Sequence, residues 1–415
     1  MRKLLKNKAF VTLALSDYTN LFGMTLFNFA LIIYISDSAN ASVWIAVISV
    51  LNWVPTMLGV FTGDVADRLK NKVKKYSIIR WIQAVIYIVV ALLIIHNATI
   101  FIALIIGFNV LSDLLGGIRG GIYNHLLKSN LEDDDFGTAA SFSQSMSVLI
   151  DFVGGAVGLA LLTVVNQNFV IFAVLNALLF VLSGVNVYWR KNSLNEPKQV
   201  VKKQVETLRF IDRVKAGLHE LNNLPGVRQV LIYIIMVNGI AGSINLLAII
   251  SIRNEVSIFG LNFEQKFFLI TSLFPIAMFL GSVFVSDIFK KLKFSSILLV
   301  HLVVQVLLAI SFLLHNGILI LILITILGYT LAKIAPRFYG NLMKNLSHNR
   351  LGVVYGLLGS LSMMLPPFLI AAFGALVNIV NVDFGWSIFL LLTVALLLPL
   401  KGLANKINQY EKGSE

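Results

Sequence analysis

Long apolar stretches alternate with short polar connections along almost the whole chain. A transmembrane helix needs about 20 mainly apolar residues, and twelve stretches are long enough. A polar break at 315–317 separates the ninth stretch from the tenth, so we expect two helices there and not one broken helix. The pattern predicts an all-α membrane protein with twelve transmembrane helices in two six-helix bundles. The predicted spans are roughly 10–35, 42–63, 77–95, 99–122, 138–162, 169–189, 229–252, 264–285, 295–314, 316–338, 350–376 and 384–401.

The longest hydrophilic stretch divides these spans six and six. It covers residues 190–228, and its apolar residues between 205 and 221 recur at helical intervals. That spacing is typical of an amphipathic helix lying along a membrane surface. We therefore expect an N-terminal bundle over 1–189, a cytoplasmic linker with an amphipathic helix over 190–228, and a C-terminal bundle over 229–415.

The composition restricts the class of protein further. Of the 415 residues, 58% are hydrophobic and 13% are charged, against about 45–50% and about 25% in soluble domains. A soluble enzyme is thereby excluded. The chain has no cysteine, which excludes disulfides, thiolate metal sites and cysteine nucleophiles.

The charged residues predict the orientation of the chain in its membrane. The 33 Lys and Arg exceed the 20 Asp and Glu by 13, which raises the question of a nucleic-acid partner. With the N-terminus in the cytoplasm, however, only Arg253 and Lys266 fall clearly outside, in accord with the positive-inside rule. We therefore expect both termini in the cytoplasm, contact with membrane lipid, including some attraction to anionic head groups, and no nucleic-acid partner.

The connection between the second and third spans carries a motif. It contains Gly63, Asp67, Arg68 and Lys72, and this spacing resembles the loop signature of the major facilitator superfamily, although Lys70 and Asn71 replace its second glycine and one basic residue. A weaker copy, with Asp287 at the position of Asp67, follows the eighth span. The resemblance implies two bundles that rock about a central substrate site, with Asp67 latching the cytoplasmic side against the start of span eleven at 347–352. The alternative is a solvated turn.

The fifth span carries a closer resemblance. Its opening at 140–145, which includes Gln144, is similar to the aromatic-Ser-Gln-Ser entry of bacterial drug exporters that include macrolide efflux proteins. Gly154, Gly155 and Gly158 follow where such antiporters carry a Gly-Pro bend, with Gly155 in the place of proline; tight helix packing alone is the alternative explanation. The resemblance implies export of an amphipathic small molecule by proton antiport across a bacterial cytoplasmic membrane, with the proton gradient as the energy source and no cofactor.

Three acids lie inside predicted spans, namely Asp17, Asp113 and Asp151. A charge at that depth is costly and usually serves a function, so they are the candidates for proton coupling. For Asp113 we weigh an equal alternative, in which it pairs with Arg119 or with a neighbouring backbone group and only locks helices. Asp17 and Asp151 have no cation near them in the sequence.

Other polar and aromatic residues inside spans are candidates to line a substrate cavity. Among them, His301 is better explained by a hydrogen bond between helices, and two basic residues at the inner end of span ten, Lys333 and Arg337, by snorkelling. Trp386 is expected at the membrane interface. The cavity candidates are Asn20, Phe27, Asn28, Gln144, Asn238, Asn245, His301 and Gln305.

No motif supports catalysis. A nucleotide-binding loop, a His-Glu-x-x-His zinc motif and a serine paired with a base are all missing from the sequence. We expect no enzymatic activity, no metal site and a monomer that binds a small-molecule substrate and protons. Two alternatives stay open: a dedicated exporter of a metabolite, peptide or lysolipid, and a non-transporting sensor or immunity protein.

Overall fold

The computed structural model describes residues 4, 6–38, 40–96, 99–131, 133–195, 227–284, 287–345 and 363–412. Its regular structure there is helical, apart from one isolated β-bridge between Ser257 and Asn316. The predicted all-α fold class is confirmed. The helices are α1 Lys8–Ser36, α2 Ala41–Leu51, α3 Val54–Met57, α4 Gly59–Arg68, α5 Lys72–Ile95, α6 Thr99–Asn130, α7 Asp133–Val164, α8 Phe169–Trp189, α9 Val227–Ala241, α10 Ile244–Asn254, α11 Phe263–Val283, α12 Phe294–Leu313, α13 Gly317–Asn345, α14 Leu365–Ile379 and α15 Val382–Lys412.

Ten helical segments in the described part of the chain are long and apolar enough to cross a membrane. The predicted second span is instead a bent pair, Ala41–Met57 and Phe61–Arg68, with an angle of 45° between its halves, which makes eleven if the pair counts as one span. The first half of the predicted eleventh span and the predicted linker helix lie outside the described residues. Helix α14 covers the second half of that predicted span and extends three residues beyond it, to Ile379.

Two compact units divide the chain. The first contains Met1–Trp44 and Val54–Val201, and the second contains Ile45–Trp53 and Lys202–Glu415. In the first unit, α1 packs against α7 and α8, and α5 packs against α6 and α8. Its buried side chains include Phe10, Tyr76 and Phe180.

Small residues let the helices of the first unit approach closely. A Cβ on Gly154 would lie 2.9 Å from Thr25 Cγ2, and one on Gly158 would lie 3.1 Å from the ring of Phe29. Helix α7 therefore packs closely against α1 at these two glycines, in the way that small residues permit. Gly155 is buried beside them.

In the second unit, α11 packs against α13, and α12 packs against both α13 and α15. Trp386 is fully buried in the protein and does not face lipid as a residue of an interfacial belt would. Its ring stacks on Phe312 with centroids 4.2 Å apart, and its Nε1 donates a hydrogen bond of 2.8 Å to Ser251 Oγ. A ring with one polar atom is buried favourably when that atom has an acceptor.

The predicted break between spans nine and ten is confirmed, because α12 ends at Leu313 and α13 begins at Gly317. A break that we did not predict lies in the seventh span, where α9 ends at Ala241 and α10 begins at Ile244. The Gly242 amide donates to the carbonyl of Asn238 across this turn. Asn238 lies on α9 and Asn245 on α10, so the two residues that we placed seven apart on one span lie on either side of this turn.

Candidate functional site

A buried ionic cluster lies in the first unit and joins α1, α5 and α6. Arg119 Nη1 forms an ion pair with Asp17 Oδ1, and Arg80 Nη2 lies 3.9 Å from the same oxygen. The side chain of Arg80 is wholly buried, that of Arg119 is 13% exposed, and that of Asp17 is 25% exposed. Asp17 is therefore the member of this cluster with the greatest access to solvent or to a substrate.

Hydrogen bonds fix Arg80 in place. Its Nη1 donates to Asn20 Oδ1 and, at 3.2 Å, to Gln83 Oε1, and Gln83 Nε2 in turn donates to the carbonyl of Ser112 at 2.8 Å. Asn20, which we predicted to line a cavity, is buried and accepts a hydrogen bond from this arginine. Its position makes it a support for the ionic cluster.

The sequence builds this cluster through short helical spacings. Asp17 and Asn20 are three apart on α1, and Arg80 and Gln83 are three apart on α5, so each pair shares a helix face. The ring of Tyr76 lies beside both guanidinium groups, with its centroid 5.3 Å from the Cζ of Arg80 and 5.8 Å from that of Arg119. Aromatic faces stabilise cations at such distances.

The cluster holds two positive charges and one negative charge, which leaves a net charge of +1. Two arginines therefore compete for one carboxylate in a setting where water is scarce, and ionic interactions there are strong. Asp17 supplies the negative charge that holds Arg119 between α1 and α6.

The pairing differs from what we expected for Asp17 and Asp113. Arg119 pairs with Asp17 across two helices, and not with Asp113 of its own helix. Six residues separate Asp113 from Arg119, which places them about 120° apart around α6 and about 9 Å apart along it. We had named no cation partner for Asp17, because none lies near it in the sequence, and Arg80, inside a predicted span, was the missed signal.

Asp113 lies in a second polar chain. Its Oδ2 accepts a hydrogen bond of 3.4 Å from Asn109, whose Oδ1 accepts one of 2.7 Å from Tyr87. Its Oδ1 is buried and has no hydrogen-bond partner within the described ranges. Among the described residues, Asp113 is therefore held by the amide of Asn109 and not by a cation.

Asp151 on α7 faces α1. Its Oδ1 accepts a hydrogen bond of 2.8 Å from Thr25 Oγ1. No arginine or lysine pairs with it among the residues that the structure describes. The three predicted acids thus lie in three different settings.

The remaining candidates of the first unit also differ from one another in burial and in contacts. Phe27 is buried and contacts Tyr87 edge to face with centroids 4.7 Å apart, so it belongs to the core. Asn28 is exposed. The side chain of Gln144 lies outside the part of the chain whose side chains are described.

The turn after α4 carries the motif that resembles the major facilitator signature. Asp67 Oδ1 lies 2.5 Å from His125 Nε2 of α6, and Arg68 pairs with Asp64 at 2.8 Å. Lys72 is buried, and its ammonium group donates to the backbone carbonyls of Ala66, Asp67 and Leu69. The proposed partner of Asp67 at 347–352 lies outside the described residues.

Gly63 lies within α4 at an open position. A Cβ built on it meets nothing within 4 Å, whereas one on Gly121 of α6 would lie 2.6 Å from Ala66 Cβ. Close approach of α4 and α6 thus depends on Gly121, which the sequence did not single out. Gly63 provides no comparable packing contact among the described residues.

The second unit contains a similar pair of an acid and a base at a turn, made by other residues. Asp287 pairs with Lys333 at 2.7 Å and accepts a hydrogen bond of 2.5 Å from Tyr329. Burial raises the pKa of Asp287, but the hydrogen bonds from Lys333 and Tyr329 outweigh that effect and lower the pKa below its ordinary value. In both units, an acid after the second or eighth predicted span thus pairs with a base on the fourth or tenth.

The two basic residues of α13 have partners within the protein. Lys333 donates to the carbonyl of Phe284 at 2.6 Å in addition to its ion pair. Arg337 donates to the carbonyls of Leu292 and Phe289 at 2.6 and 2.7 Å. Both side chains bind the turn that joins α11 to α12.

The polar candidates of the second unit are mostly structural in their contacts. His301 is buried, and its Nδ1 lies 2.8 Å from Thr330 Oγ1 of α13, which is the hydrogen bond between helices that we favoured. Gln305 is fully buried, and neither of its side-chain polar atoms has a partner within the described ranges. Asn238 is partly buried and Asn245 is exposed.

Comparison with solved structures finds the same fold in several transporters. A mutant of the nucleoside transporter NupG superposes with a TM-score of 0.71 at 13% identity, covering 95% of this chain and 99% of that one. The peptide transporter POT in complex with sulfate gives 0.68 at 12% identity, covering 97% and 96%. A bacterial homolog of the human lysosomal transporter Spinster gives 0.64 at 12% identity, covering 98% and 97%.

Comparison of the sequence with protein families identifies the family of the chain. No curated protein sequence shows a significant match. The family profile described as Major Facilitator Superfamily matches residues 13–371, which is most of the chain and includes both the Asp17 cluster and the Asp67 turn. With its helical fold, its apolar spans and this match, the chain belongs to the major facilitator superfamily of membrane transporters.

Proposed function

We propose that this transporter exports amphipathic small molecules, drug-like or macrolide-like, in exchange for protons, and that Asp17 is the carboxylate that couples the two. One observation carries the proposal: Asp17 is held by Arg119 and lies near Arg80, yet it is a quarter exposed. A carboxylate that can exchange a guanidinium partner for a proton is what proton coupling requires.

The coupling step follows from charge. With Asp17 ionised, Arg119 bridges α6 to α1. When a proton neutralises Asp17, the ion pair is lost and the net charge of the cluster rises from +1 to +2. The guanidinium then needs a new partner, and the helices that held it in place become free to shift. Return of the proton to the cytoplasm restores the pair.

Asp113 and Asp151 stay in the proposal as secondary proton sites. Neither has a cationic partner among the described residues, so each must stay neutral or bear the cost of an unpaired charge. The three acids together offer a proton path within the first unit. Asp17 differs from the other two because only its protonation breaks an ion pair.

The substrate class rests on the resemblance of the fifth span to drug exporters and on the apolar, aromatic character of the chain. A dedicated exporter of a metabolite, peptide or lysolipid is the alternative. The similar structures are named as nucleoside and peptide transporters, and at 12–13% identity they support only the fold. A non-transporting sensor is the other alternative, and it has no need of a titrating carboxylate.

Purified protein in proteoliposomes with an imposed pH gradient tests the proposal. The probes are ethidium and erythromycin, and proton flux is read from a dye trapped in the lumen. We expect probe movement to follow the gradient and Asp17→Asn to uncouple it, so that exchange of labelled for unlabelled probe continues without gradient-driven accumulation. Asp113→Asn and Asp151→Asn should reduce accumulation less.

Two controls complete the design. Asp17→Glu keeps the charge and should retain coupling, and Asp64→Asn removes an exposed acid of the same unit and should have no effect. Movement of both probes that ignores the gradient, or full coupling in the Asp17→Asn variant, contradicts the coupling proposal. Gradient-driven movement of a peptide or lysolipid, with neither probe moved, would favour the dedicated exporter.

We also propose that the protein lies in a bacterial cytoplasmic membrane as a monomer, with both termini in the cytoplasm. Because the chain has no cysteine, single-cysteine labelling can test the orientation directly. A membrane-impermeant maleimide should label Asn254→Cys in intact cells and label Lys74→Cys only after the cells are broken. The reverse pattern would overturn the orientation.

A further inference from the structure

Three helix ends of the second unit meet at a cluster that the transport proposal does not use. Glu255 is the residue directly after α10, His315 lies in the turn after α12, and Asp383 lies in the first turn of α15. His315 and Asp383 are 68 positions apart in the sequence. No short sequence motif of metal ligands could therefore predict this cluster.

The backbone holds the histidine of this cluster in a defined position. His315 has a φ of 51°, its amide donates to the carbonyl of Phe312, and the amide of Asn316 donates to that of Ser311. This is the usual left-handed ending of an α-helix. The β-bridge from Ser257 to Asn316 then ties the turn to the segment that follows Glu255.

The donor atoms of the cluster have the spacing of metal ligands. His315 Nε2 lies 3.2 Å from Asp383 Oδ1 and 3.4 Å from Glu255 Oε2, and all three atoms lie within 4.8 Å of one another. The 3.2 Å contact with Asp383 is also a hydrogen bond, at the long end of the usual range. Around a tetrahedral zinc ion with bonds of about 2.0–2.1 Å, neighbouring donor atoms are about 3.3 Å apart.

The charge balance of the cluster also favours a cation. A neutral imidazole leaves the two carboxylates with a charge of −2, and an imidazolium leaves −1. Within the described residues, neither carboxylate forms an ion pair with a lysine or arginine, and Lys266 of the neighbouring α11 donates instead to the carbonyl of Val256. The side chains are 30–41% exposed, so an ion can reach them.

We propose that Glu255, His315 and Asp383 bind a divalent transition-metal ion, for which Zn²⁺ is the best chemical fit. One imidazole nitrogen and two carboxylate oxygens are ligands that zinc accepts, and water completes the tetrahedron. The bound ion would link the ends of α10, α12 and α15. By the predicted orientation this site faces the outside of the cell.

Zinc titration of the full-length protein in detergent tests the site independently of transport. The purification tag must contain no histidine. We expect one equivalent of Zn²⁺ to bind by calorimetry and Co²⁺ to give the visible absorption of a tetrahedral complex. Glu255→Gln, Asp383→Asn and His315→Asn should each weaken binding at least 10-fold, and asparagine suits the left-handed backbone at 315.

His96→Asn is the matched control, because it removes another histidine at the end of a helix, in the first unit, and it should bind zinc like the parent protein. Zn²⁺ should raise the thermal midpoint of the parent and of His96→Asn, and of none of the three ligand variants. Asp383→Glu, which keeps a carboxylate, should recover part of the binding. Equal binding by all variants, no saturable binding by the parent, or a thermal midpoint that responds to pH but not to zinc would each overturn the site.

Discussion

Arg119 of α6 forms its ion pair with Asp17 of α1, 102 positions earlier in the chain. Removing one partner of a hydrogen-bonded ion pair that is shielded from water strongly destabilises the folded protein, because the charge of the other partner is left uncompensated. In the superfamily fold this pair connects two helices of the same unit. Its strength is therefore measurable as a coupling between two mutations.

We predict a coupling energy of about 1–3 kcal/mol between Asp17→Asn and Arg119→Leu. Each single variant should lower the thermal midpoint of the detergent-solubilised protein by several degrees. The double variant should lose less than the sum, because neither charge remains unpaired. The exposed pair Asp64 and Arg68, mutated in the same way, should show almost no coupling; strict additivity at Asp17 and Arg119 would mean that the pair adds no stability.

Lys72 stabilises the end of α4 through its hydrogen bonds to three carbonyls. The last carbonyls of a helix have no partner within it. A buried ammonium group donates hydrogen bonds to them, and its positive charge interacts favourably with the negative end of the helix dipole. Lys72→Met keeps most of the side chain and removes the charge, so we predict a loss of about 2–3 kcal/mol. Lys74→Met, two residues on and exposed, should change stability by less than about 0.5 kcal/mol, and a similar loss in both variants would show that the carbonyl contacts are unimportant.

The ionic contacts of Asp287 predict a pH dependence. Because its folded pKa lies below the ordinary value, the carboxylate contributes stability above its unfolded pKa of about 3.9, and this is lost as the pH falls through the folded pKa. Asp287→Asn should therefore lower the thermal midpoint at pH 7, and the difference from the parent should shrink below about pH 4. A difference that is the same at pH 7 and at pH 3.5 would contradict this account, and Asp64→Asn provides the exposed control.

The sequence was sufficient to predict those features of the fold that short stretches of neighbouring residues determine. The apolar lengths predicted most of the spans, and the polar break at 315–317 separated α12 from α13. The turn with Asp67 and its copy with Asp287 were recognisable because acid and base lie close together in the sequence. Each of these depends on neighbouring residues alone.

Features that depend on contacts between distant residues were not predictable in the same way. Asp17 meets Arg119 only because α1 packs against α6, and Trp386 is buried only because Phe312 and Ser251 come from two other helices. The split of the seventh span at Gly242 follows from a tight turn that an apolar run does not reveal. Spacing along one helix gives the face of a residue but not its partner on the next helix.

Asp67 has two possible roles that mutation can separate. It lies 2.5 Å from His125 within its own unit, and the superfamily resemblance implies that it also latches the start of the eleventh span. If the latch matters, Asp67→Asn should slow transport of a probe at least several-fold, because the cytoplasmic side closes less often. His125→Ala leaves the carboxylate free for the latch and should preserve transport or increase it. Initial rates in proteoliposomes, with protein content checked in each preparation, make the comparison. Equal losses in both variants would show that the contact with His125 is what the motif provides, and unchanged rates in Asp67→Asn would show that transport needs neither contact.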